Sequence, residues 1–134
     1  MKKNILAVLF TLALPATCLA ADTMREGQWE MTSTVEMPGM PMEMPSTKIK
    51  HCFTKEDVKD PKKTVTTDKN CKVTDLKQSG NKVSWKMKCT GEHSGDFSGE
   101  TVFKKDSYTS NMKMQTEGMT MNMQVKAKRL GDCP

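Results

Sequence analysis

Aromatic residues and histidines are scarce in this sequence, and closely spaced cysteine pairs are missing. Two Trp, one Tyr and four Phe make up 5% of the 134 residues, and there are only two histidines, His51 and His93. Nucleic-acid binding would need aromatics interleaved with a focused basic patch. Here lysines instead alternate with other residues along strand-like runs (Lys48, Lys50, Lys86, Lys88, Lys113, Lys126, Lys128), the pattern of a solvated face. No nucleic-acid partner is expected. A structural zinc site needs a pair such as Cys-x-x-Cys, and none occurs. With so few histidines and no nucleophile motif, no enzyme and no catalytic residues are expected. His51 falls in phase with Ile49 and Phe53 and reads as a half-buried strand histidine. Glu92, His93 and Asp96 could bind a divalent cation, but Gly91-Glu92-His93-Ser94-Gly95-Asp96 has the composition of an ordinary polar turn.

Long apolar runs are also lacking. The only one, Ile5 to Ala13, follows Lys2 and Lys3 and precedes Cys18-Leu19-Ala20. That is a cleavable signal peptide over residues 1–20, too short to span a bilayer. A lipoprotein reading would acylate Cys18, but Pro15-Ala16-Thr17 is a poor context for that processing. Residues 21–134 are therefore expected as one exported β domain, periplasmic or extracellular, with no stable membrane insertion. Loss of Lys2 and Lys3 leaves 19 basic residues against 16 acidic ones and lowers the net charge from +5 to +3.

Period-two alternation dominates what remains. Trp29, Met31, Ser33, Val35 and Met37 share one face; so do Val83, Trp85, Met87 and Cys89, and later Met119, Met121, Met123, Val125 and Ala127. Turn residues separate the runs, as in Pro38-Gly39, Ser79-Gly80-Asn81 and Glu117-Gly118. The pattern predicts an all-β antiparallel meander of about seven strands, near 27–37, 46–53, 71–78, 82–90, 96–104, 107–115 and 119–129. One apolar face must be buried, so the sheet is expected to curl into a barrel or half-barrel. Thr54-Lys55-Glu56-Asp57 resembles a capping box and predicts one short helical turn near 54–59, stopped by Pro61, with a polar loop up to residue 70.

Without Cys18, four cysteines remain in an exported domain, which points to two disulfides. Cys71 and Cys89 lie nine residues either side of Gly80. A hairpin turning there places them opposite each other, with Val73 opposite Met87. If the meander continues, Cys133 reaches the far end of the sheet, where Cys52 is its available partner. Cys71–Cys89 with Cys52–Cys133 is the expected pairing, and Cys52–Cys71 with Cys89–Cys133 is its rival. The longer bridge would contribute about 4 kcal/mol by the chain-entropy argument.

Met24-Arg25-Glu26-Gly27-Gln28-Trp29-Glu30, the Met37-Pro38-Gly39-Met40-Pro41 run, His51-Cys52, Val83-Ser84-Trp85-Lys86-Met87-Lys88-Cys89 and the closing Arg129-Leu130-Gly131-Asp132-Cys133 form a spaced set of motifs. Together they resemble domain-of-unknown-function family 3617, small exported proteins of Gram-negative bacteria. The resemblance implies a periplasmic, cysteine-paired domain and carries no activity or functional residues with it.

Methionine is abundant, with 13 in the chain. Met112 and Met114, then Met119, Met121 and Met123, alternate on neighbouring strands, where they fill a core poor in aromatics or line a cavity for an apolar molecule. Met40, Met42 and Met44, with Met37 on the boundary, differ: Pro41 and Pro45 keep this stretch off the sheet ladder, in a loop or strand edge between the first two strands. Three functions are open to such residues. A non-enzymatic binding module would take an apolar ligand or an envelope partner on this Met-rich surface or cavity. A soft-metal protein would hold Cu(I) or Ag(I) on Met37, Met40, Met42 and Met44, with His51 or the Met119–Met123 row as extra donors. A structural envelope protein would use the thioethers as an oxidation sink. In the first and third of these no cofactor is expected.

Overall fold

The computed structural model describes residues 24–42, 44–66 and 68–134. The expected signal peptide, residues 1–20, lies outside them. Seven antiparallel strands form one sheet: β1 (Gly27–Glu36), β2 (Thr47–Phe53), β3 (Cys71–Ser79), β4 (Lys82–Cys89), β5 (Gly95–Phe103), β6 (Ser107–Thr116) and β7 (Met119–Gly131). Every strand begins and ends within two residues of its expected bounds.

The order across the sheet is β2-β1-β7-β6-β5-β4-β3. The meander thus runs from β3 to β7, and the β1–β2 hairpin attaches through β1, whose Met31 lies opposite Ala127 of β7. Strands β2 and β3 are the two edges and do not pair with each other. The sheet therefore stays open as a half-barrel. Odd-numbered residues of β1 and β2 face its concave side, where Trp29 and Phe53 are buried. The convex side carries the polar half of the alternation.

This topology dictates where the β2–β3 connection goes. It leaves one edge, must reach the other, and crosses the concave face to do so. Two short helices form there, α1 (Lys55–Lys59) and α2 (Pro61–Val65). The first has the expected capping box: the Thr54 hydroxyl accepts from the Asp57 amide at 3.2 Å, and the Asp57 carboxylate accepts from the Thr54 amide at 2.9 Å. That amide, then the Thr54 hydroxyl, holds the Asp57 carboxyl below its usual pKa. The second helix corrects the expectation of a plain polar loop after Pro61. Proline lacks the amide that the first helical position leaves unused, and its fixed φ suits a helix start. Asp60 completes the start by accepting from the Lys62 amide at 3.0 Å. Pro61 ends one helix and begins another. Helices this short hold only when packed, and Val58 and Val65 pack against the core.

Under this crossing sits the core: Trp29, Phe53, Val83, Trp85, Phe103, Tyr108, Val125 and Ala127. Both of its indole N–H groups are paired. Trp29 Nε1 donates to the Arg25 carbonyl at 3.0 Å, and Trp85 Nε1 donates to Thr101 Oγ1, which lies 2.8 Å from Ser110 Oγ.

The disulfides are Cys71–Cys89 and Cys52–Cys133; the rival pairing does not form. Cys71 lies opposite Cys89 and Val73 opposite Met87, but the symmetry about Gly80 is only local. The turn holds two residues, Gly80 and Asn81, between the paired Ser79 and Lys82, with Gly80 at a φ of 60°. That register alone would slip the cysteines by one position. A bulge between Val73 and Asp75 restores them, absorbing one residue on β3.

Candidate functional site

The crossing helices cover only part of the concave face. Beside them lies a cleft of about 280 Å³. Met31 and Ser33 of β1, with Ile49 and His51 of β2, form one wall; Tyr108 and Ser110 of β6 and Val125 of β7 form the floor. Thr64 and Val65 of α2 and the following Thr66 form the roof. These residues meet because strand period places alternate side chains inward and the sheet curls them together. At about 30 Å³ for each water-sized group, the cleft holds about nine such groups. Its interior is mostly apolar, and its polar atoms are hydroxyls and one imidazole. Lys50 and Asp68 stand at its border.

His51 is half-buried as expected, edge-on to Phe53 with ring centroids 4.5 Å apart. Tyr108 lies 5.7 Å from both Trp29 and Phe103. Burial pushes its hydroxyl up to about 12 from an ordinary 10. The native fold therefore favours the neutral phenol. Its contribution to stability is complete below pH 10 and is lost as pH rises toward 12, amounting to about 2–3 kcal/mol. Tyr108 is the only tyrosine, so absorbance near 295 nm follows it alone. The native chain is expected to ionise near pH 12 and the urea-unfolded chain near pH 10; a native midpoint near 10 would show that the ring is solvated.

The strand methionines lie largely where alternation puts them. Met112 faces Met123 and Met114 faces Met121 across the β6–β7 pair, all four half-buried on the concave side. Met112 lines the cleft, and the others extend the apolar surface toward the β6–β7 turn. Met119 stands apart at that turn, 59% exposed.

The loop methionines go elsewhere. Met37-Pro38-Gly39-Met40 forms a tight turn, with the Met40 amide donating to the Met37 carbonyl at 3.2 Å and Gly39 at a φ of 92°. Proline followed by a left-handed glycine is the type II pattern. Met40, Met42 and Met44 then stand 62%, 76% and 45% exposed. The depression they line, of about 910 Å³, is completed by Thr34, Val35, Glu36, Ser46 and Asn122. Thr34, Glu36 and Asn122 belong to the convex side, by the alternation of β1 and the pairing of Glu36 with Asn122, and Val35 to the concave row, so the depression wraps the end of β1. Loop and cleft are thus separate: His51 lines the cleft, and the depression includes neither it nor the Met119–Met123 row. Among the described residues no group of three or more His, Cys, Asp or Glu side chains is placed to hold a metal ion.

Sequence reasoning did not single out Met31, Ser33, Ile49, Phe53, Tyr108 and Ser110 as site residues, although alternation puts the first four on apolar faces and Tyr108 and Ser110 in phase with Met112 and Met114. The missing signal was the roof. A charged, threonine-rich segment reads as loop, and only the edge positions of β2 and β3 send it across the concave face.

Among the described residues no helix is long and apolar enough to cross a membrane. The two disulfides suit an oxidising, exported setting. No curated protein and no solved structure matches the chain. The sequence pattern of one family, described as Protein of unknown function (DUF3617), matches residues 24–133, taking in all seven strands, the helical crossing and both disulfides, and the chain belongs to that family.

Proposed function

We propose that this protein is a non-enzymatic binding module of the periplasm, and that it takes a small apolar ligand into the concave cleft. The observation that carries this reading is the incomplete cover of the concave face. A core that only needed filling would be sealed by the crossing segment, whereas here an apolar cleft stays open beside α2. Half-buried Met31 and Met112 flank it, and thioether side chains repack around varied shapes. The hydroxyls of Ser33 and Ser110 and the His51 ring can orient one polar end of the ligand. An aliphatic acid or alcohol of about eight to ten heavy atoms suits the volume.

Isothermal titration calorimetry with octanoate tests the reading. Wild type is expected to bind octanoate saturably in the micromolar range. Ser33→Trp fills the cleft from its half-exposed wall and is expected to weaken binding at least tenfold. Thr34→Trp adds the same ring one residue away on the convex side and should leave binding unchanged. A wild type without saturable binding, or equal binding by the two variants, would remove the cleft as the site.

A further inference from the structure

Two pairs of lysines that the sequence keeps far apart are gathered by the sheet. On the convex face, Thr32 of β1 lies between Lys48 of β2 and Lys126 of β7, and Glu30 lies between Lys50 and Lys128. All four lysines are exposed. Among the described residues, no carboxylate approaches any of their Nζ atoms within ion-pairing distance. The other half of the same face behaves differently: Lys82 pairs with Glu100 at 3.0 Å and Lys88 with Asp96 at 3.7 Å. Positive charge is thus paired over β4 and β5 except at Lys86, and left wholly unpaired at β2-β1-β7, with Glu30 the one acid inside the quartet.

The depression lined by the exposed loop methionines reaches the same face through Thr34, Glu36 and Asn122. Their depression is bordered by Glu36, four residues along β1 from Thr32, a span of about 13 Å. Lys48 follows the loop directly, one residue after the start of β2. The surface therefore combines flexible apolar side chains, free to enter an interface, with a cluster of ammonium groups behind them. An acidic protein patch would answer the lysines but leave Met40, Met42 and Met44 in water. A bilayer with anionic headgroups answers both. We infer that the convex β2-β1-β7 face docks reversibly onto an anionic membrane surface, with Lys48, Lys50, Lys126 and Lys128 over the headgroups and the Met40–Met44 side chains at the acyl boundary. Lys50 also borders the cleft, but the cleft's ligand does not enter this inference. In this pose the concave side faces away from the bilayer.

Vesicle co-sedimentation tests it, using the oxidised chain from Ala21, which carries every described element without the apolar run of residues 5–13. Wild type is expected to sediment with equimolar phosphatidylglycerol and phosphatidylcholine at low salt. Phosphatidylcholine alone should bind at least tenfold more weakly, and 0.5 M NaCl should release the protein. Changing Lys48, Lys50, Lys126 and Lys128 to Gln should reduce partitioning on the order of 100-fold. Changing Lys82, Lys86 and Lys88 to Gln, a comparable loss of charge on the other half of the face, should reduce it less than tenfold. Met40, Met42 and Met44 to Ser should weaken binding about tenfold and leave its salt dependence unchanged. Equal binding to both vesicle types, equal losses in the two lysine variants, or no sedimentation of wild type would overturn the assignment; the last would leave an acidic protein as the occupant.

Discussion

Replacing Trp29 with alanine is expected to destabilise the native state by about 3–5 kcal/mol, a large share of the 5–15 kcal/mol available to a domain of this size. Trp29 is 0% exposed, and with Val83 it is one of the two largest fully buried side chains. It meets Phe53 of β2 edge-on at 6.4 Å and Tyr108 of β6 at 5.7 Å. Its indole N–H also anchors the segment before β1 through the Arg25 carbonyl. Truncation would remove the ring that joins the edge hairpin to the main meander and leave that carbonyl without its donor. The crossing helices have too few residues to collapse into the space. Urea unfolding with the disulfides intact measures the effect, and Trp85 supplies the fluorescence in the variant. Met114→Ala is the contrast: half-buried on the open side, it should cost about 1 kcal/mol or less. Similar losses at the two positions would show that the core is not divided between a sealed and an open part.

That division was only half legible in the sequence. Alternation reports which side chains share a face, so it placed the strands and the concave row from Trp29 to Val35. It does not report which stretch of the face is covered. Cover comes from residues 54–70, whose amphipathic signal is spread over two helices of five residues each, too short for a period to show. Pro61 was read as a stop, since proline ends one helix and begins another with the same ring. The cysteine hairpin illustrates a different limit. The expected pairing holds, but through a two-residue turn compensated by a bulge; Gly80-Asn81 marks the turn, and nothing around Thr74 marks the bulge. The lysine quartet was illegible for a topological reason. Lys48 and Lys128 are eighty residues apart in sequence and become neighbours only because β1 takes β2 on one side and β7 on the other. Reading each strand alone gave a solvated face; the sheet order turns part of it into a patch. The loop methionines, by contrast, were marked at once by their prolines, and the structure adds the face on which they stand.

Removing the Cys52–Cys133 bridge is expected to cost more stability than removing Cys71–Cys89, although the second is the more buried. The bridges span separations of 81 and 18 residues. In the chain-entropy model these correspond to about 4.5 and about 3 kcal/mol. Structure strengthens the ordering. Cys71 and Cys89 are a directly opposed pair with Cα atoms 4.0 Å apart, in a hairpin that the ladder and a two-residue turn already close. Cys52 lies on an edge strand held only by β1, and Cys133 lies two residues beyond the end of β7. Their bridge fastens β2, which supplies the Ile49 and His51 wall of the cleft, to the end of the strand that flanks β1 on its other side. The double variant Cys52→Ala, Cys133→Ala should therefore show a lower unfolding midpoint in urea than Cys71→Ala, Cys89→Ala. It should also lose amide-exchange protection first in residues 47–53, before β5, β6 and β7 open. The hairpin variant should keep β2 protected and loosen β3, the other edge. If the Cys71–Cys89 variant proved the less stable, packing at the buried Cys89 would outweigh loop closure. Uniform loss of protection in both variants would mean that the edges and the centre of the sheet unfold as one unit, and that the open side of the half-barrel is as firmly held as its core.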